Sequence, residues 1–316
     1  MVFDTTTISR ESATELVRAL VGGHLTVTDM DRLHGGMVNS VLELTTDGGP
    51  GRIVAKLSGQ TGHKGFEREC RVLRWYRANT RFPVPEPYGC DTSGRIFPGS
   101  CLLMKRLPGT NLGDARLRAG EHATVEREMA RMLADLHEHH RTTYGSAVEP
   151  EEQGPPHWLD RFGPRIRREF DSVADRLSPE ARSVIAEVLE HLDQWLPEFG
   201  EPTLVHGDLW ATNIIVDPHG PGGARISGFV DGGADFCDVE YELAYLLVFN
   251  TAGAPFFREY ARHHALRDGF DVRCRVYWLN TMLLHVRAFG DAHYVRACEN
   301  LARELDRLTP DPSWAP

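Results

Sequence analysis

His206-Gly207-Asp208-Leu209-Trp210-Ala211-Thr212-Asn213 is the stretch that decides how this 316-residue chain is read. Its spacing, H-x-D-L-x-x-x-N, is that of a phosphotransfer catalytic loop. Eighteen residues past Asn213, at the end of an apolar run, stands Asp231. Phosphoryl transfer to a hydroxyl needs each of these parts. A carboxylate, Asp208, accepts the proton of the attacking hydroxyl, while the amide oxygen of Asn213 and the carboxylate of Asp231 hold the magnesium ions that bridge the phosphates of ATP. The short step from Asp208 to Asn213 lets one tight loop face both nucleophile and metal. Asp208 as a plain turn residue and Asp231 as a strand-end cap is the structural alternative, and three polar residues at matching spacing around one hairpin argue against it.

Working outward, residues 213–216 and 224–230 read as two strands joined by Asp217-Pro218-His219-Gly220-Pro221-Gly222-Gly223, a run of turn formers. The rest of the second half is helical in period. Val125, Met129, Leu133 and Leu136 recur at helical spacing, and Ser178-Pro179 opens a further helix carrying Val184, Ile185, Val188, Leu189, Leu192 and Leu196. The first half differs. After a helix over 10–20, the runs 38–44 and 52–57 flank Gly48-Gly49-Pro50-Gly51 as a hairpin, and a helix over 66–77 is stopped by Pro83, Pro85 and Pro87. Residues 101–107 form another apolar run, closed by Pro108-Gly109.

These motifs resemble the aminoglycoside phosphotransferase and fructosamine kinase group of small-molecule kinases. Residues 206–213 match the group's H-G-D-L-x-x-x-N loop, with Trp210 in the manner of fructosamine kinases. Phe229-Val230-Asp231 and then Cys237-Asp238-Val239-Glu240-Tyr241-Glu242-Leu243-Ala244 are similar to its metal aspartate, G-D motif and D-L-A helix. Cys237 replaces the usual glycine and Glu242 the usual aspartate. Residues 275–280, His285 and Phe289-Gly290 are similar to the C-terminal helices of fructosamine kinases, although Tyr277, Trp278 and Leu279 are equally core-like. The resemblance implies an α+β, bilobal, protein-kinase-like fold. A small β-rich nucleotide lobe would span 1–107, with a hinge near 104–109, and a larger helical lobe 108–316. It also implies Asp208 as catalytic base, Asn213 and Asp231 as magnesium ligands, and His206 with a buried Asp238 as supports that stiffen the loop.

The first half must then supply the nucleotide site. Lys56 ends the strand Ile53-Val54-Ala55 in the manner of a V-A-I-K element, and it is one of three lysines beside 32 arginines. Glu69, within the group's E-x-x-V-L-R-W pattern, is its expected partner ahead of Glu67. Gly36, Asn39 and Ser40 fall where a loop would cover the phosphates, although the stretch lacks a G-x-G-x-x-G pattern and a plain β-turn is the alternative. Met104 would lie behind the adenine, with backbone groups of Lys105 and Leu107 on its edge. His137, after Leu136 on a strong helix, reads as a structural hydrogen-bonder.

Charge narrows the acceptor. Residues 1–150 hold 19 basic against 18 acidic side chains, whereas 151–316 hold 16 against 27. Such a half repels nucleic acid and concentrates a cationic small molecule, or simply keeps the protein soluble. Asp235 and Glu240, just after the metal aspartate, are candidate acceptor contacts, with plain solvent exposure as the alternative. Only seven residues separate Asp231 from Asp238, so the activation segment on which protein kinases dock a peptide cannot fit. The expected partner is a small polar hydroxyl acceptor, a ketosamine or an antibiotic, and neither nucleic acid nor membrane. A catalytically dead binding protein of the same fold usually loses one of the lysine, base or metal positions, and this chain keeps all four. Six scattered cysteines without C-x-x-C pairing and the lack of a long apolar run imply a reducing, cytoplasmic setting.

Overall fold

The computed structural model describes residues 7–33, 39–197, 200–308 and 310. In chain order the first elements are α1 (Arg10–Leu20), β1 (Val27–Arg32), β2 (Ser40–Thr46), β3 (Arg52–Ser58), α2 (Lys64–Asn79), β4 (Pro87–Asp91), β5 (Ser100–Lys105), β6 (Thr110–Asn111) and α3 (Ala119–His137). There follow β7 (Gly145–Ser146), α4 (Trp158–Val173), α5 (Pro179–Glu190), α6 (Leu192–Trp195), β8 (Thr203–Val205), β9 (Ile214–Asp217), β10 (Arg225–Phe229) and β11 (Asp235–Cys237). Four helices close the chain: α7 (Val239–Val248), α8 (Ala254–Tyr260), α9 (Phe270–Phe289) and α10 (Ala292–Leu305). The class is α+β, as the sequence implied.

Contacts divide the chain into two compact units. One comprises Met1–Val125 with Ala211–Gly232, the other Glu126–Trp210 with Gly233–Pro316. Where the sequence suggested a division after residue 107, the backbone carries the first unit on into α3 and returns the β9–β10 hairpin to it. The reason is hydrogen bonding. β6 pairs with β9 antiparallel, Thr110 opposite Val216 and Asn111 opposite Ile215, so the hairpin finds its third strand among first-half residues.

In the first unit an antiparallel sheet in the order β1-β2-β3-β5-β4 carries α1 on one face. Ser9 caps α1 by accepting from the Ser12 N–H at 3.1 Å, and Ala13, Leu16 and Val17 then pack on Leu44, Ile53, Ala55, Leu57 and Leu103. The β2–β3 turn uses Gly49 and Gly51 at φ of 63° and 72°, a region that costs glycine little. Lys56, at the centre of β3, pairs with Val41 on one side and Leu102 on the other.

In the second unit α4, α7 and α10 pack around α9. The core there is aromatic: Trp158 and Phe162 of α4 stack at 5.3 Å, Tyr241 and Tyr277 close on them edge-on, and the Trp158 indole donates to the Tyr277 hydroxyl at 3.1 Å. Tyr277 and Leu279 are thus core, as their helical period allowed, and Trp278 is half-buried with its indole on the Ala244 carbonyl. A short sheet, β7-β11-β8, brings Asp235 opposite Val205 and so sets the residues after the hairpin beside the strand that leads into His206. The helix begun at Ser178-Pro179 breaks at His191 before Leu192, earlier than its apolar repeat suggests.

Gly109 (φ 95°) lets β6 approach β9, because a Cβ there would stand 2.0 Å from the Val216 carbonyl oxygen. Gly109→Ala should therefore cost about 1–3 kcal/mol of stability. Urea unfolding monitors it, and an unchanged midpoint would disprove the close-approach reading.

Candidate active site

In the first unit, Lys56 meets two carboxylates at once. Its ammonium donates to Glu69 Oε1 at 2.6 Å and to Asp231 Oδ1. Strand β3 aims Lys56, helix α2 presents Glu69, and the end of β10 delivers Asp231. Burial alone would lower the lysine, but the charges of Asp231 and Glu69 hold it above its ordinary value, so it stays cationic. Burial pushes the Glu69 carboxyl up, against the pull of Lys56, because two acids share one base. Asp231 itself sits at φ 63°, a left-handed conformation uncommon outside glycine and tolerated best by Asp and Asn. Strain of that kind, about 1–3 kcal/mol, persists where the surroundings dictate the backbone.

Beside this trio lies a cavity of about 320 Å³ walled by Lys56, Met104, Lys105, Leu107, Asn213 and Asp231, among others. Six residues singled out in the sequence as nucleotide or metal contacts thus line one hollow of one unit. Glu69 reaches it through Lys56. Asn39 precedes β2, and Ser40 is buried in that strand opposite Leu57; neighbouring Val41 rather than Ser40 forms the wall. Gly36 lies outside the described residues. Glu67 takes a different role and accepts from the Thr92 hydroxyl.

In the second unit, the backbone of the H-G-D stretch is gripped by Glu242. Its carboxylate accepts from the His206 N–H at 3.1 Å and the Gly207 N–H at 2.7 Å, and is itself buried against His137 Nε2 at 3.0 Å. His137 Nδ1 is 2.7 Å from the Tyr260 hydroxyl, so the structural reading of His137 is the observed one. Burial pushes the Glu242 carboxyl up, but the hydrogen bond and charge of His137, the charge of His206 and the Gly207 N–H bring it below its ordinary value. Gly207 (φ 86°) supplies the left-handed turn, and Gly233 closes it by donating to the His206 carbonyl at 2.7 Å. Asp208, half-buried, receives a hydrogen bond from the Tyr245 hydroxyl at 2.6 Å. Burial and the adjacent Asp208 charge raise the Tyr245 phenol, which keeps it a donor.

Two expectations need correction here. Asp238 does not stiffen the loop: its carboxylate caps α7 through the Glu240 N–H and pairs with Arg267 at 2.6 Å, and Glu242, one helical turn on, takes the loop instead. Glu240 is no solvent-facing acceptor contact either. It is 2% exposed and held between Arg267 and Arg273, whose guanidinium it accepts at 2.6 and 2.8 Å. Asp235 does face a cavity and lies 3.6 Å from Arg161. Sequence reasoning missed Tyr245. Its signal was available, since it stands three residues after Glu242 and so shares that face, and the residues around it, Leu243, Ala244, Leu246 and Leu247, are apolar.

The family model described as the phosphotransferase enzyme family, APH, matches residues 29–279. Ketosamine-3-kinase of Mus musculus is 26% identical over 312 residues, covering 86% of this chain and 93% of that protein. Among solved structures, a provisionally named fructosamine-3-kinase of Thermobifida fusca YX-ER1 superposes with a TM-score of 0.72 at 22% identity, over 95% of this chain and all (100%) of that one. A thermostable variant of the aminoglycoside phosphotransferase APH(4)-Ia, in a ternary complex with AMP-PNP and hygromycin B, gives 0.66 at 20% identity, over 94% of this chain and 100% of the other.

Because its folded value is depressed, the Glu242 carboxylate stabilises the fold fully above its ordinary value of 4.5, and this contribution disappears as pH falls through the lower folded value. Glu242→Gln should cost about 3–5 kcal/mol at pH 7, as for a broken buried pair. The gap between wild type and variant in urea midpoints should close in acid below pH 4.5, and a gap independent of pH would contradict the assignment.

With the family model spanning most of its length, a trio of lysine and two carboxylates in one unit and a Glu242-anchored H-G-D loop in the other, the chain belongs to the phosphotransferase enzyme family and is a small-molecule kinase.

Proposed function

We propose that the protein transfers the γ-phosphoryl group of ATP to a hydroxyl of a small polar acceptor, with Asp208 as general base and a ketosamine as the acceptor class. The observation that carries this is the Lys56 trio. A strand lysine held by a helix glutamate is the arrangement that positions an ammonium on the α- and β-phosphates. The ketosamine class is supported by the mouse relative, which aligns with most of this chain.

The donor set suits magnesium. Asp231 and Asn213 offer one carboxylate and one amide oxygen in the same cavity, and magnesium takes few protein oxygens, completing its shell with water and phosphates. Bound there, the ion would neutralise charge between the β- and γ-phosphates. The chain's own residues do the rest. Two carboxylates on one ammonium leave the trio net negative, so Asp231 can turn to a cation while Glu69 keeps Lys56 in place. At the strand end the Lys105 N–H is committed to the Glu86 carbonyl at 2.8 Å, so the nucleotide edge would meet the Lys105 carbonyl and the Leu107 backbone, with Met104 behind.

Tyr245 donates to Asp208 Oδ1, and this hydrogen bond fixes the plane of the carboxylate that would take the acceptor's proton. A glutamate anchor on the preceding two N–H groups keeps the base from drifting, and small displacements of such a group are costly in rate. A peptide acceptor is disfavoured because β11 and α7 begin within eight residues of Asp231, at Asp235 and Val239.

An ADP-release screen across ketosamines, aminoglycosides, nucleoside antibiotics and choline-like alcohols should find turnover on ketosamines. Asp208→Asn should bind Mg·ATP normally and lose turnover by about 10²–10⁴, the size of a general-base contribution. Asp231→Ala should lose magnesium-dependent nucleotide binding, and Lys56→Ala should weaken ATP handling with acceptor affinity kept. A folded Asp208→Asn enzyme with wild-type kcat would remove the base from the scheme.

A further inference from the structure

The second unit contains a smaller cavity, about 200 Å³, that none of the expected site residues except Asp235 foretold. Trp158, Phe162 and Tyr241 form its aromatic walls, and three arginines of α4, Arg161, Arg165 and Arg168, share it with the single acid Asp235. Gly207 is also part of the wall, and Gly207 is bonded to Asp208. The chamber thus abuts the residue proposed as base, in the same unit.

Its charge is opposite to that of the half in which it lies. Elsewhere in this unit Arg267 pairs with Asp238 and Glu240, and Arg273 with Glu240. Even the more exposed Arg287 lies on Glu169. Arg165 and Arg168 make no ion pair among the described residues. Arg165 is half-buried, with its guanidinium stacked over the Tyr241 ring at 5.4 Å. Stacking holds the plane of a guanidinium while leaving its N–H edge to bind in that plane. Arg161 is only partly satisfied, since its contact with Asp235 is 3.6 Å long. Arg141 lies close behind, its guanidinium 4.5 Å from the Phe236 ring and its N–H groups spent on the Thr143 and Ser146 carbonyls. Burial holds the Tyr241 phenol above its ordinary value against the pull of the Arg165 charge. Three cations facing one anion in a walled hollow, with two cations unpaired, describe a receptor for an anionic group.

We propose that the acceptor itself carries an anion, a carboxylate or a phosphate monoester, which Arg165 and Arg161 bind in this cavity while the reacting hydroxyl is presented to Asp208. This rests on the proposed function, whose acceptor class it narrows. For a ketosamine the natural arrangement is an amino-acid-type adduct, with its anion on the arginines and its secondary ammonium within reach of Asp235. The overall acidity of the half is then not what collects the substrate. Aromatic walls at the cavity exclude water and strengthen the ion pair that forms.

Calorimetric titration of the full chain with two matched pairs tests this. The first is N-(1-deoxyfructosyl)glycine and its carboxamide; the second is N-(1-deoxyfructosyl)-O-phosphoethanolamine and its unphosphorylated counterpart. The anionic member of at least one pair should bind about 10-fold or more tighter, as expected for charge-assisted hydrogen bonds. Which pair shows the larger ratio distinguishes carboxylate from phosphate. Arg165→Gln and, separately, Arg161→Gln should bring that ratio close to one while leaving the neutral members' affinity nearly as it was. Arg165→Lys, which keeps the charge and loses the fork, should give an intermediate ratio and guards against misfolding of the glutamine variant. Equal affinity within both pairs, absence of binding by all four compounds, or a ratio that survives Arg165→Gln and Arg161→Gln would overturn the proposal. Turnover is read separately by ADP release. Tight anion-dependent binding without phosphorylation would leave the anion site standing and remove the ketosamine kinase reading, whereas phosphorylation of both members at equal efficiency would do the reverse.

Discussion

The carboxylate of Glu242 is the point on which the second unit's chemistry depends. Two backbone N–H groups of a tight turn, His206 and Gly207, both need an acceptor, and buried donors left unpaired cost about 1–3 kcal/mol each. One ionised acid answers both. Its burial would be prohibitive alone, and His137, backed by the Tyr260 hydroxyl, makes it affordable as a hydrogen-bonded chain from α8 through α3 to α7. Helix α7 then presents Tyr245 to Asp208 from the same face, so a single helix fixes both the backbone and the side chain of the loop.

The first unit solves a different electrostatic problem. Lys56 lies 8% exposed in the middle of a sheet, where an ammonium is tolerated only with a counter-charge, and it has two. Asp231, held in a left-handed backbone conformation, is the more exposed of the two acids, 39% against 17% for Glu69.

Acidity of the second half means something other than its net value suggests. Five of its acids, Glu169, Asp238, Glu240, Glu242 and Glu259, are buried, and each is paired with an arginine or a histidine. Such charges are screened from a ligand by their own partners. What a ligand meets locally can have the opposite sign, as the arginine-lined cavity beside Gly207 does.

The sequence by itself determined the α+β class, the H-G-D loop and six residues that line one cavity of the first unit, because each is a local matter. A strand lysine, an H-G-D loop and a turn-rich hairpin are fixed by spacing and backbone chemistry within a few residues. Helix α1 and the Ser178 cap were legible for the same reason, through periodicity and side-chain capping. Only the tertiary structure decided which acid does what. Asp238, Glu240 and Glu242 lie within five residues, and their chemistry differs by the partner that a distant element brings: Arg267 before α9 for the first, Arg273 of α9 for the second, the loop backbone and His137 of α3 for the third. It also decided that β9 and β10 return to the first unit through β6, and that three arginines of α4 open onto one cavity. Pairings of that kind depend on contacts 29 residues apart for Asp238 and Arg267, 33 for Glu240 and Arg273, and 105 for His137 and Glu242, for which spacing along the chain contains no signal.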